Sequence, residues 1–138
     1  MTVPTSPALP VQRALYARLN GDDELSGLVS GVHDGAPEPA PYPFVVLGEA
    51  METPDNSHSG YGRQTVVTLH VWSRARGFAE GHGIAVRLVQ LLDHQPLAVE
   101  GHHHIVTLYE FMQTLTDPEP PGDIRHVVLR FRVRTSQA

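Results

Sequence analysis

The sequence predicts an α+β fold: a mostly antiparallel β-sheet covered by one long helix, with a further helix at the N-terminus. Three observations predict it. Ile124 to Thr135 alternates apolar and polar residues with the period of two that a half-buried strand requires. Gly77 to His94 changes to a helical period, with Ile84, Leu88 and Leu91 in one stripe, Ala85, Val89 and Leu92 beside it, and Arg87 and Gln90 pointing out. Strand patterns come in pairs on either side of that helix, so neighbours can join as hairpins rather than as repeated β-α-β units.

The elements follow in order. Pro7 to Leu19 reads as an amphipathic helix, with Leu9, Val11, Leu15 and Leu19 in its stripe and Gln12, Arg13 and Arg18 outside it. Asn20-Gly21 ends it. Asp22 to Leu28 gives a second helical turn, whose acidic start complements the helix dipole. Gly31 to His33 suggests a short extra strand. Ala36 to Pro43 has four prolines in its last seven positions and reads as a stiff, extended connector. Phe44 to Thr53 is a strand and Pro54 to Gly62 a polar loop. Arg63 to Ser73 is a strand with Val67, Leu69 and Val71 on one face and Val66, Thr68, His70 and Trp72 on the other. Because both faces are partly apolar, it is expected at the sheet centre with cover on each side. After the Gly77 to His94 helix come a short strand at Leu97 to Val99, a longer one at His103 to Thr116 and a turn-rich loop from Asp117 to Gly122. The final strand points Val127, Leu129, Phe131 and Val133 inward and His126, Arg130, Arg132 and Arg134 outward.

At 138 residues, 41% apolar and 18% charged, the chain matches one domain, 1–138, with a hydrophobic core of its own. It has no cysteine, so disulfides, thiolate nucleophiles and Cys-based zinc sites are excluded. No stretch approaches the roughly 20 apolar residues that span a bilayer. The N-terminal MTVPTSPALPVQ has no basic run before an apolar one, so no signal peptide is expected. Ten basic residues, all arginine, face 15 acidic ones, for a net charge of −5. That balance argues against binding nucleic acid by bulk phosphate neutralisation, and the missing lysine removes Schiff-base and Walker-type chemistry.

No catalytic residue, metal ligand set or cofactor site is expected. In His102-His103-His104 only His102 and His104 share a strand face, and three or four converging ligands are needed for zinc. A solvated hairpin end is the simpler reading. Gly81-His82-Gly83 lies within a helix, so it is no nucleotide fingerprint. Ser57-His58-Ser59-Gly60 lacks the flanking glycines of a nucleophile elbow. Glu49 and Glu52 are oddly spaced and point to opposite faces, which rules out a paired-carboxylate site. The strongest electrostatic feature is Arg125 to Arg134, with four arginines, one histidine and no acid. It is either a solvated face whose arginine stems cover apolar surface or an interface stripe meeting an acidic partner.

Taken together, Val32-His33, the proline-rich connector, Pro41-Tyr42-Pro43-Phe44-Val45-Val46-Leu47, a glycine-bearing loop and Val67-Thr68-Leu69-His70-Val71-Trp72-Ser73-Arg74 form a sequence of phrases. The covering helix and a closing Arg130-Phe131-Arg132-Val133-Arg134 complete them. In that order and spacing, over roughly residues 7 to 135, the chain resembles the tail-completion, or tail-terminator, family of long-tailed phages, prophages and gene transfer agents. The resemblance implies a non-enzymatic virion protein made in the host cytoplasm. It implies a ring, typically a hexamer, that caps the head-proximal end of the tail tube, ends tube growth and joins the tail to the head connector. The implied partners are copies of itself, the tail tube protein and the connector or stopper; DNA passes through the lumen without specific binding, and no membrane is involved. Residues expected at ring or tube contacts, from their exposure and their polar, aromatic or arginine character, are Asp55, Asn56, His58, Tyr61 and Arg63 around the loop and Arg130, Arg132 and Arg134 on the last strand. The alternatives are another neck component, such as a stopper or adaptor, and a small histidine-containing metal- or ligand-binding enzyme.

Overall fold

A computed structural model describes residues 3–119 and 122–138. Its elements are α1 (Ala8–Asn20), α2 (Asp23–Ser26), β1 (Val32–His33), β2 (Phe44–Pro54), β3 (Gly62–Ser73), α3 (Ala79–Leu92), β4 (His102–Glu119) and β5 (Gly122–Gln137). The strands make one sheet in the order β1-β2-β3-β5-β4, antiparallel except for the short β1–β2 pair. The α+β expectation, the extra strand at Val32–His33 and the central place of β3 all hold. β3 and β4 both run antiparallel to β5, so α3 carries the chain across the sheet face between two strands that are parallel to each other.

The core lies on one face. Val67, Leu69 and Val71 of β3 stand beside Val127, Leu129, Phe131 and Val133 of β5, as their alternation requires. Val11, Leu15 and Leu19 of α1, Leu25 of α2 and Ile84, Leu88, Leu91 and Leu92 of α3 close over them. Phe131 and Leu129 are fully buried, worth about 2–3 kcal/mol each.

Several expectations need correction. The covering helix α3, of 14 residues, and the N-terminal α1, of 13, are both present as expected, but α1 shares the sheet face with α3 rather than leaving the cover to one long helix. Leu9 is exposed, because α1 buries only the narrower stripe Val11-Leu15-Leu19. The second face of β3 has no helix over it and is half-buried by long side chains of its neighbours. Arg87 does not point free into solvent: Nη2 donates to Asp22 Oδ1 at 2.7 Å and Nε to Oδ2 at 2.9 Å. Leu97 to Val99 is not a strand. Leu97 and Val99 turn into the core, and the Leu97 N–H is taken by His104 Nδ1 at 3.3 Å. The turn expected at Asp117 is also displaced, since β4 stays paired through Glu119↔Gly122. An edge strand tolerates Pro118 because an outward-facing N–H is not needed there. Pro120 and Pro121 of that loop lie outside the described residues.

Candidate assembly surface

The loop between β2 and β3 is built by its own hydrogen bonds. Ser57 N donates to Gly60 O at 3.0 Å, closing a tight turn, and Asp55 N donates to Gly62 O at 2.9 Å. Asn56 Oδ1 accepts from Gly62 N and from Arg63 Nη1, both at 3.1 Å. Gly62 is required here, because a Cβ would stand 2.2 Å from the Asp55 carbonyl oxygen. His58 is left exposed at the tip and Tyr61 is half-buried at the base. Beside the loop, Asp55, Asn56, Tyr61, Ile105 and Arg134 help line a cleft of about 480 Å³.

The arginine row of β5 stands on the face opposite the helices, but its charge is mostly met within the chain. Arg134 donates from Nε and Nη2 to Asp55 Oδ2 at 3.1 and 2.9 Å. Arg132 pairs with Glu110 Oε2 at 2.9 Å and donates to Gln64. Sequence could not show this, because the acids arrive from the loop and from β4. Arg130 lies over the Phe111 ring at 4.8 Å and has no ion-pair partner among the described residues. The structure thus joins Asp55 to Arg134 and Asn56 to Arg63. It also sets Arg63 apart, on the helix-covered face, where it faces Glu52 at 3.7 Å.

The histidine run is not a solvated hairpin end. His104 uses both ring nitrogens, Nδ1 accepting from Leu97 N and Nε2 donating to Thr107 Oγ1 at 2.7 Å. Burial holds its pKa below the ordinary histidine value. His102 contacts the Glu100 carbonyl at 3.0 Å, and His103 is exposed. The two inward histidines fasten the segment after α3 to β4.

A second cluster is not legible in the sequence. On the outer face, His126 is 9% exposed and stacks on Trp72 with ring centroids 3.8 Å apart. His126 Nε2 lies 2.7 Å from His70 Nδ1, and His70 Nε2 lies 2.7 Å from Glu49 Oε1. Glu49 reaches this face through a bulge in β2 between Leu47 and Ala50. The available signal was Gly48 inside a strand pattern, which marks a bulge or a close approach. A Cβ on Gly48 would stand 2.6 Å from the His70 ring.

At the opposite edges of the sheet, apolar side chains are exposed. Ile105 and Tyr109 are exposed on β4, and Leu9 and Tyr16 on α1, where they border a cleft of about 530 Å³ with His33 and Asp34. Among the described residues, no helix is long and apolar enough to cross a membrane.

Comparison with known proteins gives a consistent result. A family model described as tail completion protein gp17 matches residues 13–136. The tail completion protein gp17 of Bacillus phage SPP1 is 28% identical over 122 residues, 88% of this chain and 89% of that one. A chain in the virion of a native gene transfer agent particle has the same fold, with a TM-score of 0.82 and 24% identity, covering 96% of this chain and 99% of that chain. The structure of bacteriophage SPP1 gp17 matches with a TM-score of 0.63 and 24% identity, over 91% of this chain and 88% of that one.

Proposed function

The chain belongs to the tail completion protein gp17 family, and from that premise we propose that it forms a closed ring on the head-proximal end of a tail tube. It is a structural component of a phage or gene transfer agent tail, and its work is fitting rather than turnover. Bound there, the ring ends tube growth and offers a second face to the head connector. The observation that carries this reading is the family match, which takes in every strand and α3.

The surface of one subunit supports ring closure. A ring of identical copies uses head-to-tail contacts, which need two different patches on one subunit. The β4 edge, with Ile105 and Tyr109, and the α1–β1 edge, with Leu9 and Tyr16 around its cleft, lie at opposite ends of the strand order and supply such a pair. We take the ring to be a hexamer, in which six linked weak contacts give an avidity far above any one of them. The loop at Asp55, Asn56, His58 and Tyr61, with Arg130 and Arg132, is the surface we assign to ring or tube contacts. Arg134 and Arg63 act behind it by holding Asp55 and Asn56. A net charge of −5, with Arg132 and Arg134 already paired, suits a lumen that lets DNA pass without gripping it.

The test is reconstitution. Purified protein added to polymerising tube protein should stop elongation and remain at one tube end as a ring whose mass, by light scattering or mass photometry, is a small multiple of the subunit. Tubes that elongate unchanged and carry no bound protein would refute capping.

A further inference from the structure

The Glu49–His70–His126 chain crosses three strands and has no part in ring formation as proposed above. Its hydrogen atoms can be assigned from chemistry. An ionised carboxylate only accepts, so His70 Nε2–H donates to Glu49 Oε1. In the neutral ring Nδ1 then accepts, so His126 Nε2–H donates to it. Two neutral imidazoles and one carboxylate satisfy every contact. One proton from solvent can be added without breaking the chain: His70 becomes a donor at both nitrogens, and His126 moves its own hydrogen to Nδ1. A second proton cannot be added, because both rings would then donate across 2.7 Å while carrying like charge.

We propose that this chain is an acid-sensitive latch, which joins β3, together with the β2 bulge held on it by Glu49, to β5 at neutral pH and parts at the His70–His126 contact when both histidines are protonated. The architecture is specific to that contact. The bulge aims Glu49 at His70, Gly48 leaves the space the His70 ring occupies, and Trp72 lies flat on His126 with an interplanar angle of 11°. The charged groups facing the chain are Glu49 from β2, Arg130 from β5 and Asp117 from β4. His70, by its hydrogen bond, is the main reason the Glu49 carboxyl sits below its usual range. Burial, then the neighbouring His70, holds His126 below the ordinary histidine value, with Asp117 and Glu49 opposing. The latch thus remains closed until the medium is clearly acidic.

Trp72 is the only tryptophan in the chain and lies on the latch itself. Its fluorescence, followed from about pH 8 to about pH 4 in the purified protein with far-UV circular dichroism alongside, reads the event directly. The expected result is a fluorescence step at a pH where the dichroism is still that of the folded protein. His70→Gln should abolish the step, since the ring that His126 would meet donor to donor is gone. Glu49→Gln, at a side chain 76% exposed and so safe for folding, should move the step to lower pH by roughly half to one unit, because the opposing negative charge is lost. His58→Gln, on the distant loop, should leave it in place. A flat fluorescence profile, a step unchanged in His70→Gln, or a step that coincides with global unfolding would overturn the proposal. None of these readouts needs a ring or a tube, so they stand apart from the test of capping.

Discussion

Asp22→Asn is the substitution whose cost the structure fixes best. Asp22 caps α2, accepting from Leu25 N at 2.8 Å, and takes two hydrogen bonds from Arg87 of α3. Its side chain is only 15% exposed. The Arg87 hydrogen bonds, followed by the Leu25 amide and the charges of Arg87 and Arg18, outweigh burial and lower its pKa from 3.8 to about 2. Since one pKa unit is about 1.4 kcal/mol, the ionised carboxylate contributes about 2 kcal/mol at neutral pH. A carboxyl whose folded pKa is depressed stabilises above its unfolded value and loses that effect as pH falls, here from about 4 toward about 2. Asparagine keeps a capping oxygen, so the charge is what the variant removes. Urea denaturation followed by far-UV dichroism should therefore place Asp22→Asn about 2 kcal/mol below wild type at pH 7 and about half that at pH 3. A deficit equal at both pH values would refute the reasoning, since it would have nothing to do with the carboxylate charge.

Leu129→Asp puts an unpaired charge in the fully buried centre of β5 and should cost several kcal/mol, enough to unfold the protein; a folded variant by dichroism would mean the strand register is wrong. Arg130→Glu with Arg132→Glu, on the solvent-facing side, should leave the fold intact but prevent ring or tube binding in a sedimentation assay, and unimpaired assembly would remove these residues from the contact surface. Gly48→Ala should lower the melting temperature by several degrees, because its Cβ must displace the His70 ring from 2.6 Å. His104 has a depressed folded pKa, so its contribution is present above about pH 6.5 and is lost as pH falls. His104→Gln should flatten that part of the stability profile, measured by thermal melts at stepped pH.

How much could be read from the sequence depended on whether the signal was local. The stripe Ile84-Leu88-Leu91 and the alternation Val127-Leu129-Phe131-Val133 define α3 and β5 through spacing alone, and both are present as expected. Leu97 to Val99 has a strand's composition but not its partner, because hydrogen bonding at that point is decided by His104, seven residues on. Asp22 meets Arg87 across 65 residues, and Arg134 meets Asp55 across 79. No window along the chain could pair them, so the arginine row looked more exposed than it is. His126 shows the same limit: alternation placed it correctly on the outer face, but its burial comes from Trp72 of another strand. The loop residues were legible as a group, but the separation of Arg63 from the Arg130–Arg134 row depends on the register of β3 against β5.

Electron microscopy of particles made without this protein tests tube capping most directly. The account predicts filled heads without tails alongside free tubes that have grown well past normal length. Particles with tails of ordinary length, firmly joined to their heads, would contradict it.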